Sequence, residues 1–277
     1  YVLGGYASEV SSIHKEADSL VRNSTEETFR RYRTSVVYAA DGSVISKLND
    51  QGASYYLKRD EIPQSVIDAV VCMEDQRFYQ HRGVDFRALV RAAKSLIENR
   101  KITQGGSTIT MQLARNVFLT QEKTWQRKVE EIFIAQNLEK KYTKDQILEF
   151  YLNNIYYGNG YYGIGAAGSY FDSEVGDLDL SQIAFLCAVP NNPTVYDPVT
   201  HMDHAVERRD RILGKMRDDG KITQMAYAAA VAENITLKRP EAMEKNNYVE
   251  TYAYYCATRA LMEQEGFVFR YQFATED

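Results

Sequence analysis

Apolar residues recur at helical intervals along most of the chain. Val66, Ile67 and Val70 mark one apolar face, which predicts an amphipathic helix that ends near Glu74. Pro63 suits its first turn, because the missing N–H would have no partner there. Similar patterns predict further helices roughly over residues 85–100, 107–117, 124–142, 144–154, 180–189, 203–219 and 223–233. The predicted fold class is therefore mainly α.

Local end signals support two of these helix boundaries. Thr143 and Gln146 form a capping box at the start of one helix, and Gly220 follows the last turn of another. Between residues 154 and 172, Gly and Tyr alternate too densely for a regular helix, which predicts a loop packed by its own aromatic rings.

The two ends of the chain differ from its middle. Residues 35–45 are rich in β-branched residues around Asp41-Gly42, which predicts a short N-terminal β-hairpin. Residues 1–33 are polar and predict a stalk that follows a removed membrane anchor, since the chain begins with Tyr1 and not Met. Residues 236–277 predict a linker toward a further C-terminal domain. No apolar stretch approaches the ~20 residues that a membrane span needs.

Positive charge is concentrated in one part of a net-acidic chain. The 277 residues carry a net charge of −5, yet residues 76–128 hold eleven Lys or Arg against three Asp or Glu. This local excess favours a polyanionic ligand such as a phosphate or an anionic lipid headgroup, although solvated helix faces are an alternative. No nucleic-acid-binding signature accompanies it, so we do not expect nucleic acid as a partner.

Cysteines and histidines offer little chemistry. Cys72, Cys187 and Cys256 lie far apart among apolar residues, which favours three buried small side chains over a disulfide between two of them. His201 and His204 have helical spacing, but a solvated helix start is the expected explanation, and we predict no metal site.

The segment EDQRFYQHRGVD, residues 74–85, is the first of three that could carry chemistry. It places Glu74 and Asp75 at the end of an apolar helix, where carboxylates are seldom buried without a partner. One of them could serve as a general base. A cap or salt bridge beside Arg77 or Arg82 is the alternative.

The second segment is QGGSTITMQLARN, residues 104–116. Its Gly-Gly pair leaves backbone N–H groups uncovered, and Ser107-Thr108 caps the next helix, so this helix start could bind an anion. Gln112 and Arg115 lie one turn apart with Asn116 beside them, and could hold a sugar hydroxyl and a phosphate oxygen.

The third segment is RKVEEIFIAQNLEKKY, residues 127–142. Arg127 and Lys128 could form routine surface ion pairs with Glu131. The turns that follow are apolar nearly all round, however, and should be buried. Glu131 then lies where a charged face enters a core, as is typical of a functional carboxylate.

Together these segments resemble the family 51 glycosyltransferases, the peptidoglycan-polymerising domains of class A penicillin-binding proteins and of monofunctional transglycosylases. KDQILEFYLNNIYYG (144–158) and ERRDRILGKM (207–216) extend the resemblance, which runs from about Val36 to Ala232. The sequence departs from the family where Met111 replaces a usual Gln, where Arg115 replaces a usual Lys, and where Lys123 replaces a frequent Arg.

The resemblance implies a lysozyme-like head lobe and a smaller membrane-facing jaw lobe, formed by residues 34–235. It implies that lipid II is polymerised into β-1,4-linked glycan with inversion and release of undecaprenyl pyrophosphate. The expected location is the extracytoplasmic face of the bacterial cell membrane, and residues 236–277 would lead to a transpeptidase domain.

The resemblance also implies residue roles. Glu74 would be the base, and Glu131 would orient nearby cations and steady the positive charge that develops at C1. The expected substrate-binding residues are Asp75, Phe78, His81, Gly106, Ser107, Thr108, Gln112, Arg115, Asn116, Lys123, Arg127, Lys128, Asn153, Asn191 and Arg208.

No cofactor is expected to be required, although a divalent cation could stimulate the reaction. The expected partners are lipid II, lipid-linked glycan, the membrane surface, cell-wall assembly proteins and inhibitors of the moenomycin type. Two alternatives stay open: a lytic, lysozyme-like enzyme that cleaves glycan, and an idle scaffold module of the cell wall.

Overall fold

The chain divides into two compact units. The larger unit comprises residues 1–33 and 51–238, and the smaller comprises residues 34–50 and 239–277. The computed structural model describes residues 2–30, 35–38, 44–48, 56–99, 106–120, 122, 124–238, 252, 255, 256, 259 and 260.

Helices make up the described part of the larger unit, which confirms the mainly α fold class. The predicted division into a head lobe and a jaw lobe stays a prediction. The α-helices are α1 (Val2–Asn23), α2 (Gln64–Glu74), α3 (Phe86–Asn99), α4 (Ile109–Phe118), α5 (Trp125–Lys141), α6 (Lys144–Asn154), α7 (Ile164–Ala167), α8 (Leu180–Leu186), α9 (Met202–Asp218) and α10 (Gln224–Ala232).

The predicted helix ends agree closely with the structure. Thr143 and Gln146 form the expected capping box at the start of α6. Gly220 follows α9 with a φ of +71°, the left-handed conformation that glycine adopts without steric cost. Both signals depend only on neighbouring residues, which explains why the sequence alone identified them.

The smaller unit contains the strands of the predicted hairpin. Strand β1 (Ser35–Tyr38) pairs antiparallel with β2 (Val44–Leu48), and Ser35 lies opposite Leu48. The predicted Asp41-Gly42 turn lies outside the described residues. Cys256, also in this unit, is a free thiol and is exposed, so the prediction that it is buried was wrong.

The core of the larger unit forms around α2, α4, α6 and α8. Helix α6 is buried nearly all round from Ile147 to Asn154, and Phe29 stacks on its Phe150 with ring centroids 4.0 Å apart. Burying one such large apolar side chain contributes about 1.5–3 kcal/mol to stability. Cys72 and Cys187 are free and buried in this core, as predicted. The core holds the ends of α2 and α4 in fixed positions.

Helix α1 packs against α5. The ammonium of Lys141 donates hydrogen bonds to the carbonyl oxygens of Val21 and Arg22 (2.9 Å each) and of Ser24 (2.5 Å), which satisfies groups that a helix end leaves unpaired. His14 meets Phe133 edge to face, with centroids 4.8 Å apart. The predicted stalk therefore contains a helix that packs on α5 within the larger unit, while the domain boundaries at 33 and 235 stay predictions.

The segment from 154 to 172 is more regular than predicted. It contains α7 and a 3₁₀ turn, Gly168–Phe171. Gly163 has a φ of +84°, and a Cβ there would lie 2.9 Å from the carbonyl oxygen of Asn153, so glycine permits a close turn into α7. Tyr157 and Tyr170 are buried, so the predicted aromatic packing is present, and residues 155–163 form the predicted loop before α7 begins.

Asp85 anchors the start of α3. Its carboxylate accepts the backbone N–H of Ala88 at 3.0 Å and forms a two-point ion pair with the guanidinium of Arg77. Burial alone would raise the pKa of Asp85, but hydrogen bonds from Arg77 and Ala88 outweigh it and lower the pKa to about 2. The pair thus stays ionised at neutral pH.

We expect Asp85→Asn to remove this ion pair while keeping a helix cap. Because the folded-state pKa lies below the ordinary value of ~3.9, the stabilisation is complete above about pH 4 and is lost as the pH falls toward about 2. The variant should lose about 1–3 kcal/mol of unfolding free energy at pH 7. Urea unfolding at several pH values measures both effects. Asp203→Asn, a change at an exposed position on α9, is the control. If the unfolding free energy of Asp85→Asn depends on pH in the same way as that of Asp203→Asn and of the unaltered chain, the assignment is contradicted.

Candidate active site

Glu74 is held between two helices at the end of α2. Its Oε2 accepts a hydrogen bond from Nε2 of Gln112 on α4 at 3.2 Å. Its Oε1 accepts one from Nη2 of Arg208 on α9 at 3.1 Å. The Glu74 side chain is only 16% exposed. The carboxylate is thus oriented by two donors and retains a limited opening to solvent.

Tyr151 fixes the orientation of the Gln112 amide. Its hydroxyl donates to Oε1 of Gln112 at 3.2 Å, so Nε2 of the same amide faces Glu74. Burial, and then the negative charge of Glu74, raise the pKa of Tyr151 well above its ordinary value. The phenol therefore stays protonated and can donate to Oε1 in this contact.

Cys187 and Arg208 also lie near Glu74. Burial and the charge of Glu74 raise the pKa of the Cys187 thiol to about 12, so it carries no charge near neutral pH. The guanidinium of Arg208 lies 5.0 Å from the ring centroid of Tyr196, and its buried Nε has no hydrogen-bond partner among the described residues. Arg208 can therefore donate a further hydrogen bond.

Asp75 points away from Glu74 and supports α4. It accepts the backbone N–H of Ile109 at 3.0 Å and Nε2–H of His81 at 2.8 Å. Phe78 is fully buried, with Nζ of Lys144 4.2 Å from its ring centroid. Asp75, which His81 also contacts, thus supports the start of α4, whereas Phe78 packs against Lys144 of α6. The predicted contact of these three residues with substrate stays a prediction.

Glu131 is fully buried on α5. Its Oε1 accepts from Nζ of Lys128 at 2.7 Å, and its buried Oε2 has no hydrogen-bond partner in the described part of the chain. The same ammonium donates to Oγ of Ser107 at 2.9 Å, next to Thr108, which caps α4 by accepting from the N–H of Met111. Glu131 thus orients a cation at the start of α4.

A cavity of about 480 Å³ adjoins the residues that hold Glu74, although Glu74 itself does not line it. Gln112 and Tyr151, which orient the carboxylate, also line this cavity. Arg115 and Arg127 supply positive charge to it, and the Nε of Arg127 is buried without a partner among the described residues. The other lining residues are Asn116, Asn154, Ile155, Tyr156, Tyr162, Pro190 and Pro193.

Several lining residues were missed by the sequence analysis. The Nδ2 of Asn154 donates to the carbonyl oxygens of Phe29 and Phe150, which leaves a buried Oδ1 with no partner among the described residues. The rings of Tyr156 and Tyr162 lie 4.7 Å apart and line the cavity as a pair. These side chains add a buried amide oxygen and an aromatic pair to the residues around the cavity.

Two predicted substrate-binding residues do not line the cavity, although a neighbour of each in the sequence does. Asn153, adjacent to Asn154, exchanges hydrogen bonds with the backbone N–H and carbonyl of Leu57 and does not line the cavity. Asn191 is exposed, whereas Pro190 beside it lines the cavity. Neighbouring side chains on a helix point in different directions. In the sequence, only the helical periodicity of α6 indicated which of its side chains would face the cavity.

The remaining predicted residues have separate positions. Gly106 lies close to α3, where an added Cβ would approach Leu89 to 3.1 Å. Met111, which departs from the family pattern, is fully buried beside Val84 and Ala135. Gln112 thus reaches Glu74 while Met111 fills the core. Lys123 lies outside the described residues.

Comparison with known proteins identifies the family. A family model described as "Transglycosylase" matches residues 41–217. This chain belongs to the transglycosylase family. The match confirms the family that the motifs resembled and the class of enzyme, a peptidoglycan glycosyltransferase.

Several curated relatives of this transglycosylase chain are named penicillin-binding proteins. Penicillin-binding protein 4 of Bacillus subtilis is 40% identical over 245 residues, which cover 88% of this chain and 39% of the relative. Penicillin-binding protein 1A of Escherichia coli is 41% identical over 200 residues, which cover 72% and 23%. The chain therefore spans less than two fifths of either relative.

A solved structure matches as well. The crystal structure of penicillin-binding protein 1A from Haemophilus influenzae, at 2.6 Å resolution, matches with a TM-score of 0.47 and 21% identity. The match covers 83% of this chain and 24% of that one.

The described residues of the transglycosylase chain lack two features. None of the described helices is long and apolar enough to cross a membrane. No three His, Cys, Asp or Glu side chains of the described part form a group suited to a metal ion.

We expect Tyr151→Phe to lower transglycosylase activity about fivefold, because the loss of one hydrogen bond of about 1 kcal/mol frees the Gln112 amide to turn away from Glu74. The matched control is Tyr157→Phe, since the buried Tyr157 hydroxyl has no partner among the described residues. This control should keep its activity. Initial rates and unfolding free energies of both variants test the role of Tyr151, and equal rates would contradict it.

Proposed function

We propose that this domain polymerises lipid II into peptidoglycan glycan strands. The 4-hydroxyl of the GlcNAc of lipid II attacks C1 of the reducing-end sugar of a growing glycan that is linked to undecaprenyl pyrophosphate. A β-1,4 bond forms with inversion, the C1–O bond to the diphosphate breaks, and undecaprenyl pyrophosphate leaves. The observation that carries the proposal is an oriented carboxylate, Glu74, beside a cavity that contains two guanidinium groups.

Glu74 is the proposed general base. An alcohol is a poor nucleophile at neutral pH, so its proton has to be removed as the new bond forms. Donors from Gln112 and Arg208 hold the carboxylate in one orientation, which reduces the entropy that is lost when the substrate binds. The proton passes from the attacking hydroxyl to Glu74.

Arg115 and Arg127 are the proposed diphosphate ligands. A diphosphate is a good leaving group that needs its growing charge neutralised more than it needs a proton. Neither guanidinium has an ion-pair partner among the described residues, and both line the cavity. Guanidinium groups can bind phosphate oxygens at two points, which orients the leaving group as well as stabilising it.

Glu131 has a different proposed role. Its carboxylate contacts Lys128, and Lys128 also holds Ser107 at the start of α4. We therefore assign to it the orientation of the cations and the support of the positive charge that develops at C1. Direct proton donation by Glu131 is not required, because the leaving diphosphate departs as an anion.

The cellular setting follows from the proposed substrate. Because lipid II is a membrane lipid, the domain would act at the extracytoplasmic face of the bacterial cell membrane. Residues 1–33 would follow an anchor, and residues 236–277 would lead to a transpeptidase domain. Inhibitors of the moenomycin type would occupy the cavity of Arg115 and Arg127, and cell-wall assembly proteins would be further partners.

We expect Glu74→Gln to keep the fold and to lose lipid II polymerisation by at least ~100-fold, because the amide has the same shape and one acceptor oxygen but cannot take the proton. Product gels with purified lipid II measure the rate, and circular dichroism checks the helices. Glu207→Gln, an exposed change on α9, is the matched control. Near-normal chain growth by Glu74→Gln would remove Glu74 from the mechanism, and cleavage of finished glycan by the unaltered chain would favour a lytic enzyme instead.

We expect Glu131→Gln to lower the polymerisation rate by about 100-fold, which is the typical effect of removing one electrostatic group from an active site. The neighbouring change Glu130→Gln on the same helix is the control and should keep most activity. The rate at saturating lipid II and the unfolding free energy are measured together. If Glu131→Gln retains most of its activity, or loses activity only in proportion to lost folded protein, its role is structural.

A further inference from the structure

The basic segment of the sequence does not converge on a single cavity. Arg115 and Arg127 line the cavity beside Glu74, whereas Arg82 and Arg87 line a separate one of about 470 Å³. This second cavity lies between the loop that follows α2, the start of α3 and one residue of α5, Gln136. The proposed glycosyl transfer makes no use of it.

The second cavity contains two guanidinium groups that are not neutralised. Arg77 and Asp85 also line it, but they form an ion pair with each other. Arg82 and Arg87 are both exposed, and neither has a hydrogen-bond or ion-pair partner among the described residues. Their charge is therefore available to a ligand.

Polar groups that could complete an anion site surround these arginines. Gln80 and Gln136 contribute amides to the lining. His81 also lines the cavity, and its side chain is only 8% exposed. Its Nε2–H is committed to Asp75, so the donors that remain for an anion beside the arginines are the two glutamine amides.

Two exposed apolar side chains of α3 lie near these two arginines. Phe86, which lines the cavity, is 63% exposed, and Val90, one turn later, is 69% exposed. Large apolar groups at such exposure next to guanidinium groups are typical of surfaces that bind amphiphilic ligands. The ligand that fits this arrangement has an anionic group beside an apolar one.

We propose that this cavity is a second anion site, which binds the phosphate group of a ligand through Arg82 and Arg87. Two guanidinium groups with amides beside them match the several oxygens of a phosphate better than the two oxygens of a carboxylate. The phosphate could belong to an anionic lipid headgroup or to a soluble phosphate ester. The proposal does not depend on glycosyl transfer.

The test compares phosphate binding by the full chain and by the double variant Arg82→Gln/Arg87→Gln. One arm measures sedimentation with phosphatidylglycerol vesicles against phosphatidylcholine vesicles, and the other titrates glycerol 3-phosphate by calorimetry. Arg22→Gln/Arg211→Gln is the matched control, because it removes the same charge from two exposed arginines elsewhere. The variant Arg115→Gln/Arg127→Gln reports binding at the other cavity. Thermal unfolding checks that each variant folds.

We expect Arg82→Gln/Arg87→Gln to weaken binding at least tenfold relative to the control. A loss confined to phosphatidylglycerol vesicles assigns the site to a lipid headgroup, and a loss in the calorimetric arm assigns it to a soluble phosphate ester. Binding equal to that of Arg22→Gln/Arg211→Gln in both arms would overturn the proposal. Since both arms measure binding without lipid II, an inactive enzyme would leave the result unaffected.

Discussion

The hydrogen bonds that Gln112 and Arg208 donate to Glu74 are the interaction on which the candidate site depends. A carboxylate withdrawn from water is costly unless donors compensate it, so its position requires partners that cannot move away. Here the partners come from α4 and α9, and Tyr151 on α6 fixes one of them. Four helices must therefore pack in one arrangement before the carboxylate is oriented, which links the core directly to the chemistry.

The end of α2 serves two purposes because the helix ends between Glu74 and Asp75. Asp75 has φ −157° and ψ 70°, outside the helical region, so its side chain leaves in a different direction from that of Glu74. The Asp75 carboxylate accepts hydrogen bonds from the backbone N–H of Ile109, at the start of α4, and from His81. The same helix, α4, then carries Gln112 to Glu74. Two adjacent carboxylates thus divide the work: one supports the helix that orients the other.

The sequence predicted the helices well because their signals are local. Apolar spacing and caps such as Thr143 act within one or two turns, and tertiary contacts did not override them. The site was harder to predict. The motifs indicated the right segments but not which of two neighbours faces the cavity, as with Asn153 and Asn154. That choice depends on how α6 sits against Phe29 and Leu57, which are nearly a hundred residues or more away in sequence.

The charge that is available to a ligand also could not be predicted from the sequence alone. A count along the sequence treats every Lys and Arg of residues 76–128 alike. In the structure, Asp85 neutralises Arg77 and Glu131 pairs with Lys128, so neither of these cations is fully available to a ligand. The affinity of a cavity for an anion depends on the charge that is left uncompensated in it. By that measure each of the two cavities presents a pair of arginines, so the single basic patch of the sequence is divided between two separate cavities.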